Sequence, residues 1–209
     1  MKDWKNYWRT KEETGNYLVD MLRNSCEVDF SSSIFKLDDK VLDVACGNGY
    51  YSKEVIKKAG LKEENYAGFD INSAFIEQAR RFLPNARFYT VGNVKEELER
   101  IPSNSFDWCL VSSLLQYLTP KECEKILKEC LRISGKIAIP NVLTEKTFLV
   151  AHAPLAKIKL VIHNLNGGSV NYLNEDFFLN IAREKQASVE FVYFQNSFKL
   201  MHVILREKQ

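Results

Sequence analysis

The chain has 209 residues, 45% hydrophobic and 27% charged, which suits one globular domain with a substantial core. A formal net charge of +2 is too mild for the basic stripe of a nucleic-acid binder, and the polar, aromatic start "MKDWKNYWRTKEE" lacks the apolar core of a signal peptide. With no uncharged apolar run of about 18 residues, no transmembrane segment is expected, and the chain reads as soluble and cytoplasmic.

Residues 1–33 read as an N-terminal helical cap. Trp4, Tyr7 and Trp8 fall at i, i+3 and i+4, and Tyr17, Leu18, Met21 and Leu22 repeat the spacing. Apolar runs bounded by turn residues predict strands at 40–44, 66–70, 87–90, 108–112 and 136–140, with helical patterns between them. "SKEVIKKAG" ends at a capping Gly60, and "NSAFIEQARRFLP" starts at Asn72 and Ser73 and stops at Pro84. "TPKECEKILKECLRISG" has Thr119 as N-cap, Pro120 at the first helical position, Glu122 closing a capping box and Gly135 past the end. Residues 142–172 form an insertion holding an amphipathic segment from Pro154 to near Gly167. A helix over 174–185 follows. Then "SVEFVYF" and "FKLMHVILRE" come with no helix between them, and are expected to pair antiparallel. Strand–helix alternation predicts an α/β fold, a parallel sheet with helices on both faces, in a single domain over 1–209.

The five cysteines form no CxxC pair and read as reduced, mostly buried thiols. The three histidines share no ligand spacing with them, which argues against zinc. The chemistry points instead to "LDVACGNGYYS". In doubly wound sheets, ligands bind outside the carboxyl ends of the strands, where the first glycine turn lets backbone approach them. A dinucleotide fingerprint needs a third glycine, and Ser52 stands in its place. Asp43, at the strand end, repels a pyrophosphate and favours a cationic or zwitterionic ligand. Asp70 closes the second strand, where an acid accepts both hydroxyls of a ribose. Asn93, in "VGNV", is placed to meet an adenine.

Taken in order, "VLDVACGNG", "GFDIN", "FDWCLVSSLLQYL" and the ending "VYFQNSFKLMHVILR" resemble the class I S-adenosylmethionine-dependent methyltransferases. The resemblance implies a Rossmann-like seven-stranded sheet in the order 3-2-1-4-5-7-6, its last strand antiparallel. It implies S-adenosyl-L-methionine as cofactor and S-adenosyl-L-homocysteine as product. Carried over by position, Asp43, Ala45, Gly47 and Gly49 would hold the methionine end. Tyr50 or Tyr51 would cover its carboxylate, Asp70 the ribose hydroxyls and Ile71 one adenine face. Asn93 and Val94 would sit at the adenine edge, and Ser112 and Ser113 near the methyl donor. Tyr7 is the N-terminal aromatic placed to close over the cofactor. Asn93 stands where many members carry an acid, and "LLQYL" lacks the histidine of some small-molecule members.

Methyl transfer from a sulfonium needs alignment and exclusion of water, and needs a base only if the acceptor must lose a proton. His152 and His163, in the insertion, are the candidate bases, weighed against plain surface or core histidines. His202 reads as packing. Gln116 and Tyr172 are placed to orient an acceptor. The expected partner is a small-molecule acceptor, methylated on oxygen or nitrogen in a partly apolar pocket, by a monomer or homodimer. The alternatives are a methyltransferase acting on protein or RNA, and a non-catalytic module that keeps the fold.

Overall fold

A computed structural model describes residues 17–142, 172–193 and 201–208, with side chains from Cys26 onward. Trp4, Tyr7, Trp8, His152 and His163 lie outside the described residues. The helix α1, Tyr17–Ile34, leads into β1, Val41–Val44. Then follow α2 (Tyr50–Ala59), β2 (Tyr66–Asp70), α3 (Ser73–Phe82), β3 (Arg87–Thr90), α4 (Val94–Arg100) and β4 (Trp108–Leu110). After a 3-10 turn at Leu115–Tyr117 come α5 (Pro120–Ser134) and β5 (Lys136–Val142). The chain ends with α6 (Glu175–Glu184), β6 (Ala187–Tyr193) and β7 (Met201–Glu207).

The seven strands form one sheet in the order β3-β2-β1-β4-β5-β7-β6. β1 to β5 pair in parallel, and β7 runs antiparallel to both β5 and β6, the predicted topology. The central strands are buried on both faces, because helices cover each side. β1 and β2 have no exposed position, so they read as buried runs whose acids stand at or next to the carboxyl end, Asp43 one residue before the end of β1 and Asp70 at the end of β2. Local chemistry fixes the helix ends. Thr119 and Glu122 form the reciprocal capping box, Asn72 accepts two backbone N–H groups at the start of α3, and Gly60 and Gly135 take left-handed caps. Cys123, Leu127, Cys130 and Leu131 bury the apolar face of α5. All five cysteines are free thiols.

One irregularity falls beside the site. Between Ile139 and Val142, β5 advances three residues while its partner β7 advances two, from Val203 to Met201. The extra residue is a β-bulge, with Asn141 left-handed at φ 64. It extends β5 past the predicted end at Pro140. No described helix is long and apolar enough to cross a membrane.

Candidate functional site

The carboxyl ends of β1, β2 and β4 open onto a cleft of about 240 Å³. Its acids come from three elements: Asp43 from β1, Asp70 from β2 and Glu27 from α1. Among the described residues no lysine, arginine or histidine lines it. Such a wall attracts a cation and repels a phosphate, which suits a cofactor carrying an ammonium and a sulfonium and no phosphate. Ile71, Phe75 and Val94 supply an apolar side that suits an adenine face. S-adenosylmethionine therefore fits the residues present.

Asp43 is almost fully buried. Its Oδ2 accepts the Ser52 hydroxyl at 2.7 Å and the Tyr66 hydroxyl at 2.8 Å, which leaves Oδ1 for the cleft. Burial outweighs these bonds and pushes the Asp43 carboxyl up to about 6. Ser52, at the missing third glycine, thus works as a fastener for the acid. Asp70 is the hub of the turn: Oδ2 accepts the Gly47 N–H at 2.9 Å and Oδ1 the Asn72 N–H at 3.0 Å. Burial raises its carboxyl as well, against the pull of those backbone bonds. The Ile71 N–H is a third backbone group that favours the charged carboxylate, and the lone pairs that remain are the ones a ribose hydroxyl would use.

The glycine turn divides its labour. Gly47 lines the cleft at φ 57 with open space where a Cβ would stand. Gly49 does not line it. A Cβ there would meet the Ala79 Cβ at 2.7 Å, so Gly49 serves the packing of α2 on α3. Ala45, where the family often has glycine, lines the cleft and adopts φ 61, a glycine-like conformation. Tyr50 stacks edge-on against Phe82 and is not among the lining residues; Tyr51 lines the cleft instead. The Tyr51 hydroxyl donates to the Glu27 carbonyl at 3.0 Å and bonds the Ser31 hydroxyl at 2.8 Å, which ties α1 to α2.

Ile71, Val94, Ser112 and Ser113 all line the cleft. Asn93 lines the adjoining cavity, which shares Ile71 and Val94, and its Oδ1 is engaged as the α4 cap by the Lys95 N–H at 2.9 Å. His202 is buried in β7. Its Nδ1 accepts the Asn141 N–H at 3.2 Å, its ring lies 4.7 Å from that of Phe30, and burial pushes its imidazole down to about 4. Sequence reading missed Glu27, Ser52, Tyr66 and Asn141. Only Asn141 had any local signal, the Pro140 inside a strand that marks a bulge.

A family model described as a methyltransferase domain matches residues 41–135. Among curated proteins, the tRNA U34 carboxymethyltransferase of Pseudomonas aeruginosa is 30% identical over 130 residues, covering 58% of this chain and 39% of that protein. The chain thus spans about two fifths of the length of the curated relatives it matches. Among solved structures, the magnesium protoporphyrin IX methyltransferase of Synechocystis PCC 6803 with bound S-adenosylhomocysteine superposes with a TM-score of 0.68. It is 12% identical, and the match covers 98% of each chain. A SAM-dependent methyltransferase of Archaeoglobus fulgidus gives 0.66 at 16% identity, covering 92% of this chain and all of the other. At these identities the likeness is one of fold.

Proposed function

We propose that this chain, whose residues 41–135 are a class I S-adenosylmethionine-dependent methyltransferase domain, transfers a methyl group to a small-molecule acceptor. The observation that carries the reading is the cleft at the carboxyl ends of β1, β2 and β4, which has three carboxylates and, among the described residues, no basic side chain. When bound, S-adenosylmethionine supplies an electrophilic methyl on a sulfonium. The chain's own residues bind and orient. Asp43 Oδ1 would hold the ammonium, Asp70 the ribose hydroxyls, and Ile71 and Val94 the adenine. Ala45 and Gly47 would let the backbone approach the methionine end, and Ser112 and Ser113, which also line the cleft, would lie near the methyl donor. His152 or His163, outside the described residues, is the base in this reading where an acceptor must lose a proton.

The net charge of +2 favours a small molecule over RNA. A tRNA acceptor is the second reading, because the curated relative at 30% identity is named for one. The discriminating experiment incubates the protein with methyl-labelled S-adenosylmethionine and, separately, a metabolite extract and a tRNA fraction, and follows the label by mass spectrometry. Label in a metabolite supports the proposal; label confined to tRNA replaces it with the second reading.

A further inference from the structure

Two side-chain oxygens beside the cleft are buried and accept no hydrogen bond among the described residues: Asn141 Oδ1 and Gln116 Oε1. Asn141 as a residue is 6% exposed. Both residues line one cavity of about 10 Å³, the space of a single water-sized group, and Ser113 lines both this cavity and the cleft.

The fold holds Asn141 there deliberately. The β5 bulge turns it out of the ladder, and its N–H bonds His202 Nδ1 at 3.2 Å in place of a strand carbonyl. Its Nδ2 donates to Ser113 Oγ at 3.0 Å. Asn141 is left-handed at φ 64 in the β5 bulge, Ser113 at φ 55 three residues past the end of β4, and Ala45 at φ 61 directly after β1, three neighbouring strands of the sheet. Such clustered left-handed residues beside a cleft are the kind of backbone that functional sites hold. His202 is a positioning residue that acts through Asn141.

We propose that this cavity seats a neutral –NH₂ group of the methyl acceptor, a primary amide or an uncharged aromatic amine. The inference rests on the methyltransferase reading. Two buried carbonyl oxygens call for a group with two hydrogens to donate, and a hydroxyl has one. Among the described residues no charged side chain lines the cavity to compensate a buried ammonium, and the two oxygens repel a carboxylate.

The test uses the full-length, ¹⁵N-labelled protein saturated with S-adenosylhomocysteine. The side-chain amide resonances of Gln116 and Asn141 are followed while acetamide, N,N-dimethylacetamide and acetate are titrated as probes. A saturable shift with acetamide at millimolar concentration is expected, and none with the two probes that lack N–H donors. Gln116→Met keeps the length and removes the oxygen. It should weaken acetamide at least tenfold and leave S-adenosylhomocysteine affinity unchanged by calorimetry. An equal response to acetate, or no response to acetamide, overturns the inference, the second meaning that the oxygens bind water alone. If S-adenosylhomocysteine itself fails to bind, it is the methyltransferase reading that falls.

Discussion

The carboxylate of Asp70 accepts the backbone N–H of Gly47 at 2.9 Å, so the acid ending β2 shapes the glycine turn that follows β1. The same carboxylate holds the Asn72 N–H at 3.0 Å, ahead of the α3 cap. Asp70→Ala leaves both donors without their acceptor. A loss of roughly 2–4 kcal/mol is expected in urea unfolding, with Asp70→Asn losing less because its oxygen keeps one of the bonds.

Asp43 trades stability for charge. Its carboxyl rises from 3.8 in the free side chain to about 6 in the fold, so between these values the folded state binds more protons than the unfolded chain. The contribution of Asp43 to stability is therefore best below pH 3.8 and is lost as pH rises through 6. An Asn oxygen accepts the same Ser52 and Tyr66 hydroxyls without the buried charge. Asp43→Asn should be more stable than the parent at pH 7, by roughly 3 kcal/mol. Binding of S-adenosylhomocysteine should weaken about tenfold per unit below about pH 6 in the parent. Asp43→Asn should bind poorly at every pH. Calorimetry across pH 5 to 8 checks both.

The two glycines of the turn separate strain from clash. Gly47→Ala meets only the left-handed backbone, with open space for its Cβ, and should cost about 1–2 kcal/mol. Gly49→Ala adds a Cβ 2.7 Å from the Ala79 Cβ and should cost roughly 2 kcal/mol more. Equal losses in chemical denaturation would contradict the packing role of Gly49.

His202 titrates in the opposite sense to Asp43. Burial holds its imidazole near 4, below the ordinary 6.5, so the stability it confers is full above pH 6.5 and is lost as pH falls towards 4. The two slopes oppose each other between pH 4 and 6. Asp43→Asn removes one of them and should make thermal stability fall more steeply on acidification than in the parent, and His202→Leu should flatten the fall.

Most strand limits were legible because the parallel strands are short apolar runs between strong stop signals, and the capping box of α5 is written in four consecutive residues; the sheet order came from the resemblance of the motifs to the methyltransferase family. Asp43 and Asp70 were legible as acids at strand ends. Their fasteners were not: Ser52 and Tyr66 reach Asp43 across the core, a contact that no local period encodes. The sequence could not separate Tyr50 from Tyr51, since one helical step decides which ring faces Phe82 and which the cleft. For Asn141 the neighbouring Pro140 was the one local sign; its bulge is set by the partner strand, where His202 stands across from it.

The most direct test of the central claim is an isothermal titration of the folded protein with S-adenosylhomocysteine at pH 7.5. The account predicts one saturable site, with affinity reduced roughly a hundredfold in an Asp70→Ala variant shown by circular dichroism to be folded. No binding by the parent, or equal binding by the variant, would contradict it.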